Sequence, residues 1–444
     1  MSVAQPLIFN VLRLVALAAL VLFLDGCAAL KPVQQNPEQY QTRMVKDVER
    51  SNFPAPRGED VIGSLVVMRL ATGDTLPDVA RHFSLGINAI SAANPGVDMW
   101  VPEAGRRVVL PLAFILPDAP RKGIVINVAT MRLFQFKGNG QNPTVSTYPV
   151  GVGTRERPTP TGQMRVERKA MLPTWHVPAS IAEDHRKKGD PLPAQVPPGP
   201  QNPLGECALY LSKAGYLIHG TNKPASIGLK ATNGCMRLYP ENVKTLFEET
   251  PVNTSVAIVD QPYLVGQRKG VLYLEAHVPL EGSGAAELER IREKLRRLEK
   301  KSGRTLDWKK IEQVQTQALG IPVPIAELVP GSAQEVPELV EAVHPEKLYG
   351  VPQIPELRLD GWYVLAASVR EEKDAATLAA IINHQGPPIP ARVLPKSESS
   401  YRVIAGPFRD AGEAREAVKR LKIDLEIEGI LIEPVQQADL GKKM

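Results

Sequence analysis

Short runs of β-branched and aromatic residues, broken by turn signals, fill residues 121–260 of this 444-residue chain. Ile124-Val125-Ile126-Asn127-Val128 and Arg132-Leu133-Phe134-Gln135-Phe136 predict a hairpin that turns at Ala129-Thr130-Met131. Further strands are expected at Thr144–Val152, Met164–Glu167, Ala208–Ser212, Tyr216–Ile218 and Ser255–Val259. Gly151-Val152-Gly153 and Pro158-Thr159-Pro160-Thr161-Gly162 punctuate the series, and one helix is expected over Asn242–Glu249. The pattern is that of a mainly-β sandwich or barrel. Between Leu172 and Asn202 the periodicity lapses in a Pro-rich excursion, long enough for a lid over a cleft.

Other patterns flank this segment. Residues 62–112 read strand, turn, helix, turn, helix, strand. The runs are Val66-Val67-Met68-Arg69-Leu70, Gly73-Asp74-Thr75-Leu76, Val79-Ala80-Arg81-His82-Phe83, Ile87-Asn88-Ala89-Ile90, Ala93-Asn94-Pro95-Gly96 and Arg107-Val108-Val109-Leu110. Leu288, Ile291, Leu295 and Leu298 lie among i,i+4 charge pairs and predict an exposed amphipathic helix over 284–318. A Pro-rich linker is expected over 319–358, and a polar, Pro-containing tether over 28–61. Strands at 361–366, 391–394, 401–408 and 429–432, with helices Lys373–Asn383 and Ala411–Leu421, predict an α+β unit of order βαββαβ over 360–436.

Residues 1–27 form a targeting segment. Arg13 precedes the apolar run Leu14–Leu24, too short to span a bilayer comfortably, which ends at Leu24-Asp25-Gly26-Cys27. With 43% hydrophobic and 23% charged residues and 41 prolines, the chain reads as folded modules joined by linkers. The net charge is only +5 and no basic block stands out, which argues against a nucleic-acid partner. Besides Cys27 there are only Cys207 and Cys235, which in an exported protein fit either a disulfide or free thiols.

The candidate chemistry concentrates in His219-Gly220-Thr221-Asn222 and Thr232-Asn233-Gly234-Cys235-Met236-Arg237. A thiol is a weak nucleophile at neutral pH, and a nearby imidazole raises its ionised fraction. A Gly before the Cys lets a carbonyl approach backbone N–H groups able to hold its oxyanion. The combination points to acyl transfer, and the Gly-Cys-x-Arg context favours a working Cys235 over a disulfide. Metal ligation is the rival, but no Cys-x-x-Cys or His-x-x-x-His spacing occurs, and His176 and His185 lie in the excursion. Neither a metal nor a cofactor is expected.

These blocks, with Pro149-Val150-Gly151, Pro158-Thr159-Pro160-Thr161-Gly162 and Asn202-Pro203-Leu204-Gly205, resemble the L,D-transpeptidase family over residues 121–260. The likeness is to the YkuD-type catalytic domain and its ErfK/YbiS-like branch. It implies Cys235 as nucleophile, His219 as general base and Thr221 as the group orienting the imidazole. The N–H groups of Gly234 and Cys235 would hold the oxyanion. Arg237, Asn222, Gly220 and Asn233 are the candidates for substrate binding; Asn233 stands where the family often has His. The implied reaction starts with attack of Cys235 on the diaminopimelate–D-Ala bond of a tetrapeptide stem. The thioester then passes to an amine, giving a 3–3 cross-link or attaching a lipoprotein. An L,D-carboxypeptidase on the same stems and a non-catalytic wall-binding tether are the alternatives.

Residues 62–112 resemble a LysM module, whose glycan groove would involve Gly73, Asp74, Thr75, Asn94 and Pro95. The 360–436 unit resembles a SPOR domain. Leu24-Asp25-Gly26-Cys27 resembles a lipobox, which implies lipidation of Cys27 and a place in the Gram-negative periplasm, anchored to the outer membrane. The implied partners are peptidoglycan glycan strands and stem peptides, with a wall-linked lipoprotein as a further acceptor. The expected whole is multidomain: a βααβ LysM-like module, a mainly-β catalytic sandwich, a helical linker and a SPOR-like α+β domain.

Overall fold

The computed structural model describes residues 42–138, 143–280, 284–326, 339–397 and 400–434. Cys27 and its flanking segment therefore lie outside the described residues.

The catalytic segment is built on one ladder of nine strands. Their order is Met236–Arg237, Leu217–His219, Cys207–Leu211, Gly162–Met171, Ser255–Val259, Gly123–Asn127, Arg132–Lys137, Thr144–Pro149 and Asn52–Pro54. Gly162–Met171 joins the two halves: its first residues pair with Ser255–Ile258, its last with Cys207–Leu211. Ile124, Ile126, Leu133, Val166, Leu209, Ile218, Met236 and Val256 fill the core beneath. The Pro240–Glu249 helix starts on a proline, whose missing N–H costs nothing at a first turn, and buries Val243 and Leu246 against that core.

Four expectations need correction. The 28–61 tether is not free chain over its described part. Thr42–Val45 pairs with Leu339–Ala342, and Asn52–Pro54 adds an edge strand to the large sheet, with Phe53 buried against Phe114. Burial of one such aromatic side chain contributes about 1.5–3 kcal/mol, enough to hold a short strand in place. The 319–358 linker likewise supplies Leu339–Ala342, which lies between Thr42–Val45 and Val61–Arg69 in a four-stranded sheet closed by Arg107–Ile115. The 284–318 segment is two helices, Gly284–Ser302 and Trp308–Gln317, and it is not an exposed rod. Ile291, Leu295 and Ile311 are buried against a hairpin absent from the sequence reading, Tyr263–Arg268 with Val271–Ala276. Finally, the 172–202 excursion holds the helix Ala179–Lys187 and the strand pair Trp175–His176 with Gln195–Val196.

Residues 61–115 run strand, helix, helix, strand, with helices Leu76–His82 and Ile87–Ala93 between two paired nine-residue strands. Residues 362–432 form the βαββαβ unit, an antiparallel sheet ordered Ala391–Ser397, Ser400–Phe408, Trp362–Val369, Ile430–Ile432. Ala375, Ala379, Ala414 and Ala417 let its helices Glu372–Asn383 and Ala411–Leu425 lie close on that sheet. This unit meets the loop after His219 through Lys223–Asp424 (3.4 Å) and the excursion through Lys419–Asp190 (2.7 Å). Gly386 abuts the Asn222 carbonyl so closely that a Cβ there would lie 1.8 Å from the oxygen.

Candidate active site

Two short strands carry the site. Leu217–His219 and Met236–Arg237 run parallel, with Ile218 opposite Met236 and His219 opposite Arg237. Ile218 and Met236 are fully buried in the core. Strand residues alternate between faces, so His219 and Arg237 project together on the other face, and Cys235 leads directly into the Met236–Arg237 strand. Strands this short make few ladder bonds. Burial of the Ile–Met pair, about 1.5–3 kcal/mol per side chain, therefore fixes where the polar groups point.

His219 is 4% exposed, and its Nδ1 lies 2.7 Å from the Gly220 carbonyl oxygen. A carbonyl only accepts, so Nδ1 carries the proton and Nε2 is left as the base. Burial first, then the positive charge of Arg237, hold the imidazole down to about 3, against the pull of the Gly220 and Leu204 carbonyls. Cys235 is partly buried and unoxidised, with Sγ 3.6 Å from the Gly215 carbonyl oxygen. Burial pushes its thiol up, while the Leu217 backbone and Arg237 act in the opposite sense. The resting pair is therefore neutral thiol and neutral imidazole, and the proton must move as the thiol attacks. Desolvation is the largest influence on both groups.

Arg237 sets both groups in the same sense, lowering imidazole and thiol alike. Its Nε is buried without a hydrogen-bond partner, and desolvation lowers the guanidinium itself. With His219 held near 3, wild-type acylation is expected to show no inflection near the ordinary imidazole value of about 6.5. Arg237→Gln removes the positive charge, so the imidazole rises and the acid limb moves to higher pH. The thiol rises too, for want of a counter-charge to its anion. A pH profile of Cys235 acylation in both proteins checks the two displacements; an unmoved acid limb contradicts them.

The nucleophile loop is tied by hydroxyls. Thr232 Oγ1 donates to the Cys235 carbonyl (2.7 Å) and accepts from the Gly234 N–H (3.1 Å). Thr159 Oγ1 donates to the Gly234 carbonyl (3.0 Å) and accepts from the Gly153 N–H (2.9 Å). Gly234 has φ +104°, and a Cβ there would come 2.8 Å from Tyr216 Cε1, so only Gly fits. Its N–H is committed to Thr232, which corrects the expectation that it holds the oxyanion. Thr159 and Thr232 stood inside the quoted motifs but were not singled out: a hydroxyl's partner becomes visible only when the turn is folded.

The other expected residues divide. Thr221 is buried, and its hydroxyl accepts from the Lys223 N–H (2.9 Å), which braces the loop after His219. The Gly220 carbonyl orients the imidazole through Nδ1, and the Gly220 N–H donates to the Cys207 carbonyl (3.1 Å). Asn233 accepts from Arg157 (2.7 Å), and the Asn222 amide donates to the Pro200 carbonyl (3.3 Å). Cys207 is a free, buried thiol. Among the described residues no three His, Cys, Asp or Glu side chains converge on a metal-sized site.

In the 61–115 unit the expected groove residues have structural duties. Thr75 caps the Leu76–His82 helix, accepting from the Asp78 N–H (3.1 Å) and donating to its carboxylate (2.7 Å). Asn94 clamps Ile90 and Val109 through three bonds of 2.7–2.8 Å. Asp74 accepts from the Ala71 N–H (2.7 Å) and meets His344 Nε2 at 2.9 Å. Gly73 has φ +87° with open space on its Cβ side, and Pro95 is exposed.

A buried imidazole on paired strands, with a cysteine leading into one of them just after an obligatory glycine, defines a cysteine-dependent acyltransferase. Comparison with known proteins gives the same class. The family model described as the L,D-transpeptidase catalytic domain matches residues 121–258, and the SPOR domain model matches 359–433. The chain is 40% identical over 238 residues to "Probable L,D-transpeptidase YbiS" of Escherichia coli (strain K12), covering 52% of this chain and 77% of that one. It is 37% identical over 287 residues to "Probable L,D-transpeptidase ErfK/SrfK" of Salmonella typhimurium, covering 62% and 91%. The Escherichia coli (strain K12) ErfK/SrfK protein is 38% identical over 234 residues, covering 52% and 74%. The chain belongs to the L,D-transpeptidase family.

Proposed function

We propose that Cys235 attacks the carbonyl of the third residue, meso-diaminopimelate, of a tetrapeptide stem. Pairing of His219 with Arg237, whose charge acts on both the imidazole and the Cys235 thiol, supports this reading. As the C–S bond forms, His219 Nε2 takes the thiol proton; it then gives that proton to the departing D-alanine amine as the C–N bond breaks. An incoming amine next attacks the thioester: an amide C–N bond forms, the C–S bond breaks, and the amine's proton returns to the sulfur. The energy of the broken peptide bond is carried in the thioester, so the chain's own residues suffice. The backbone N–H of Cys235 serves the oxyanion, since that of Gly234 is engaged. Arg237, with its unpartnered buried Nε, receives a carboxylate of the stem.

The acceptor is the diaminopimelate amine of a second stem, giving a 3–3 cross-link, or the lysine of a wall-linked lipoprotein. The 62–112 LysM-like module and the SPOR-like domain hold glycan strands near the site and raise their local concentration. Lipidation of Cys27 confines the enzyme to the outer membrane, facing the periplasm. Incubation of the protein with a disaccharide tetrapeptide tests the reaction by mass. D-alanine release with a cross-linked dimer is expected; release with monomer alone means hydrolysis, and no change means a tether.

A further inference from the structure

The helix Ala179–Lys187, midway through the 172–202 excursion, buries none of its side chains. Apolar packing therefore does not fix it, and segments held this way belong to the readily opened part of a fold. The base of the excursion is stapled: the Asn202 amide donates to the Pro173 carbonyl (2.8 Å), and the Leu172 N–H to the Glu206 carbonyl (2.7 Å). The helix itself is placed by charged contacts. Arg157 Nη2 donates to Asp184 at 2.6 Å, and the same guanidinium donates through Nη1 to Asn233 Oδ1 at 2.7 Å. Asn233 stands two residues before Cys235. Arg157 also leads into the turn whose Thr159 grips the Gly234 carbonyl. At the far end of the helix, Asp190 meets His185 (3.2 Å) and Lys419 (2.7 Å).

One planar guanidinium thus bridges the nucleophile loop and a helix with no fully buried side chain. We propose that Arg157 is a positioning residue, a latch that holds the excursion beside the Cys235 thioester and biases its fate toward amine over water. The inference rests on the acyl-transfer reading above. In either outcome the thioester C–S bond breaks and the sulfur regains a proton. With an amine, an amide C–N bond forms; with water, a carboxylic acid forms and loses its proton to solvent. Closure of a flap over the thioester restricts water while a bound acceptor stays in place. An exposed ion pair is a weak tie, so the latch shifts the balance between closed and open flap and does not lock it.

The test uses the full chain with disaccharide tetrapeptide and reads the ratio of cross-linked dimer to tripeptide monomer. Arg157→Ala and Asp184→Asn are each expected to lower that ratio several-fold. The double variant should fall no further than the worse single, and Arg157→Lys should recover part of the ratio. Asp184 is 46% exposed on a helix without buried side chains, so its substitution spares the fold. An unchanged ratio in both single variants, or losses that multiply in the double, would overturn the latch while leaving the transpeptidase reading intact. Absence of D-alanine release from the unaltered protein would overturn that reading and the latch together.

Discussion

Cys235→Ala abolishes cross-linked product and D-alanine release together, while binding to isolated sacculi survives. The expected loss is at least about 10⁴-fold, since removing the nucleophile of a nucleophile–imidazole unit elsewhere lowers kcat by about 10⁶. Fold is not at stake: the core beneath the site is filled by Ile218 and Met236, and Cys235 is not part of it. Glycan binding, if it resides in the 62–112 and SPOR-like units, should not feel the lost sulfur. Chromatography of released muropeptides and a sacculus pull-down measure the two properties side by side. Cross-linking that persists in the variant would refute the assignment of the nucleophile.

His219→Ala slows acylation by about 10²–10⁴-fold, the usual contribution of a positioned proton carrier. The loss should depend on pH in a way that reports its cause. Burial raises the Cys235 thiol, so without the imidazole the thiolate forms only above the ordinary thiol range. The variant's rate should accordingly climb with alkali and regain part of its activity there. A variant equally slow at every pH would mean that His219 acts by shaping the loop, through the bond from Nδ1 to Gly220, and not by moving a proton.

Local pattern revealed the elements whose stability is local. The hairpin Gly123–Asn127 with Arg132–Lys137, the helix Pro240–Glu249 with its leading proline, and the βαββαβ unit carry their own turn signals and apolar periodicity. What escaped was made by partners far away in the chain. Leu339–Ala342 becomes a strand only between Thr42–Val45 and Val61–Arg69, and Asn52–Pro54 only on the edge of Thr144–Pro149. Short edge segments have little β signal of their own; the pairing creates them. The helices Gly284–Ser302 and Trp308–Gln317 looked exposed because their charges are many, yet one stripe is buried on a hairpin turning at Lys269-Gly270. That turn and its flanking Tyr263–Arg268 and Val271–Ala276 do carry a local hairpin signal.

At the site, residue identity was legible and electrostatics were not. Spacing marks His219 and Cys235 as partners, and the parallel register sets His219 opposite Arg237, two residues after Cys235. Nothing in the sequence tells how dry the cleft is, and dryness decides that thiol and imidazole rest neutral. Nor does spacing tell which amides are engaged, as the Gly234 N–H is with Thr232.

Acyl transfer to one particular sulfur underlies every expectation here, and the intact mass of the protein tests it most directly. After brief exposure to disaccharide tetrapeptide and acid quench, the protein should gain the mass of the donor less D-alanine. Peptide mapping should locate that gain on Cys235. D-alanine release with no adduct at Cys235, or with the adduct on Cys207, would contradict it.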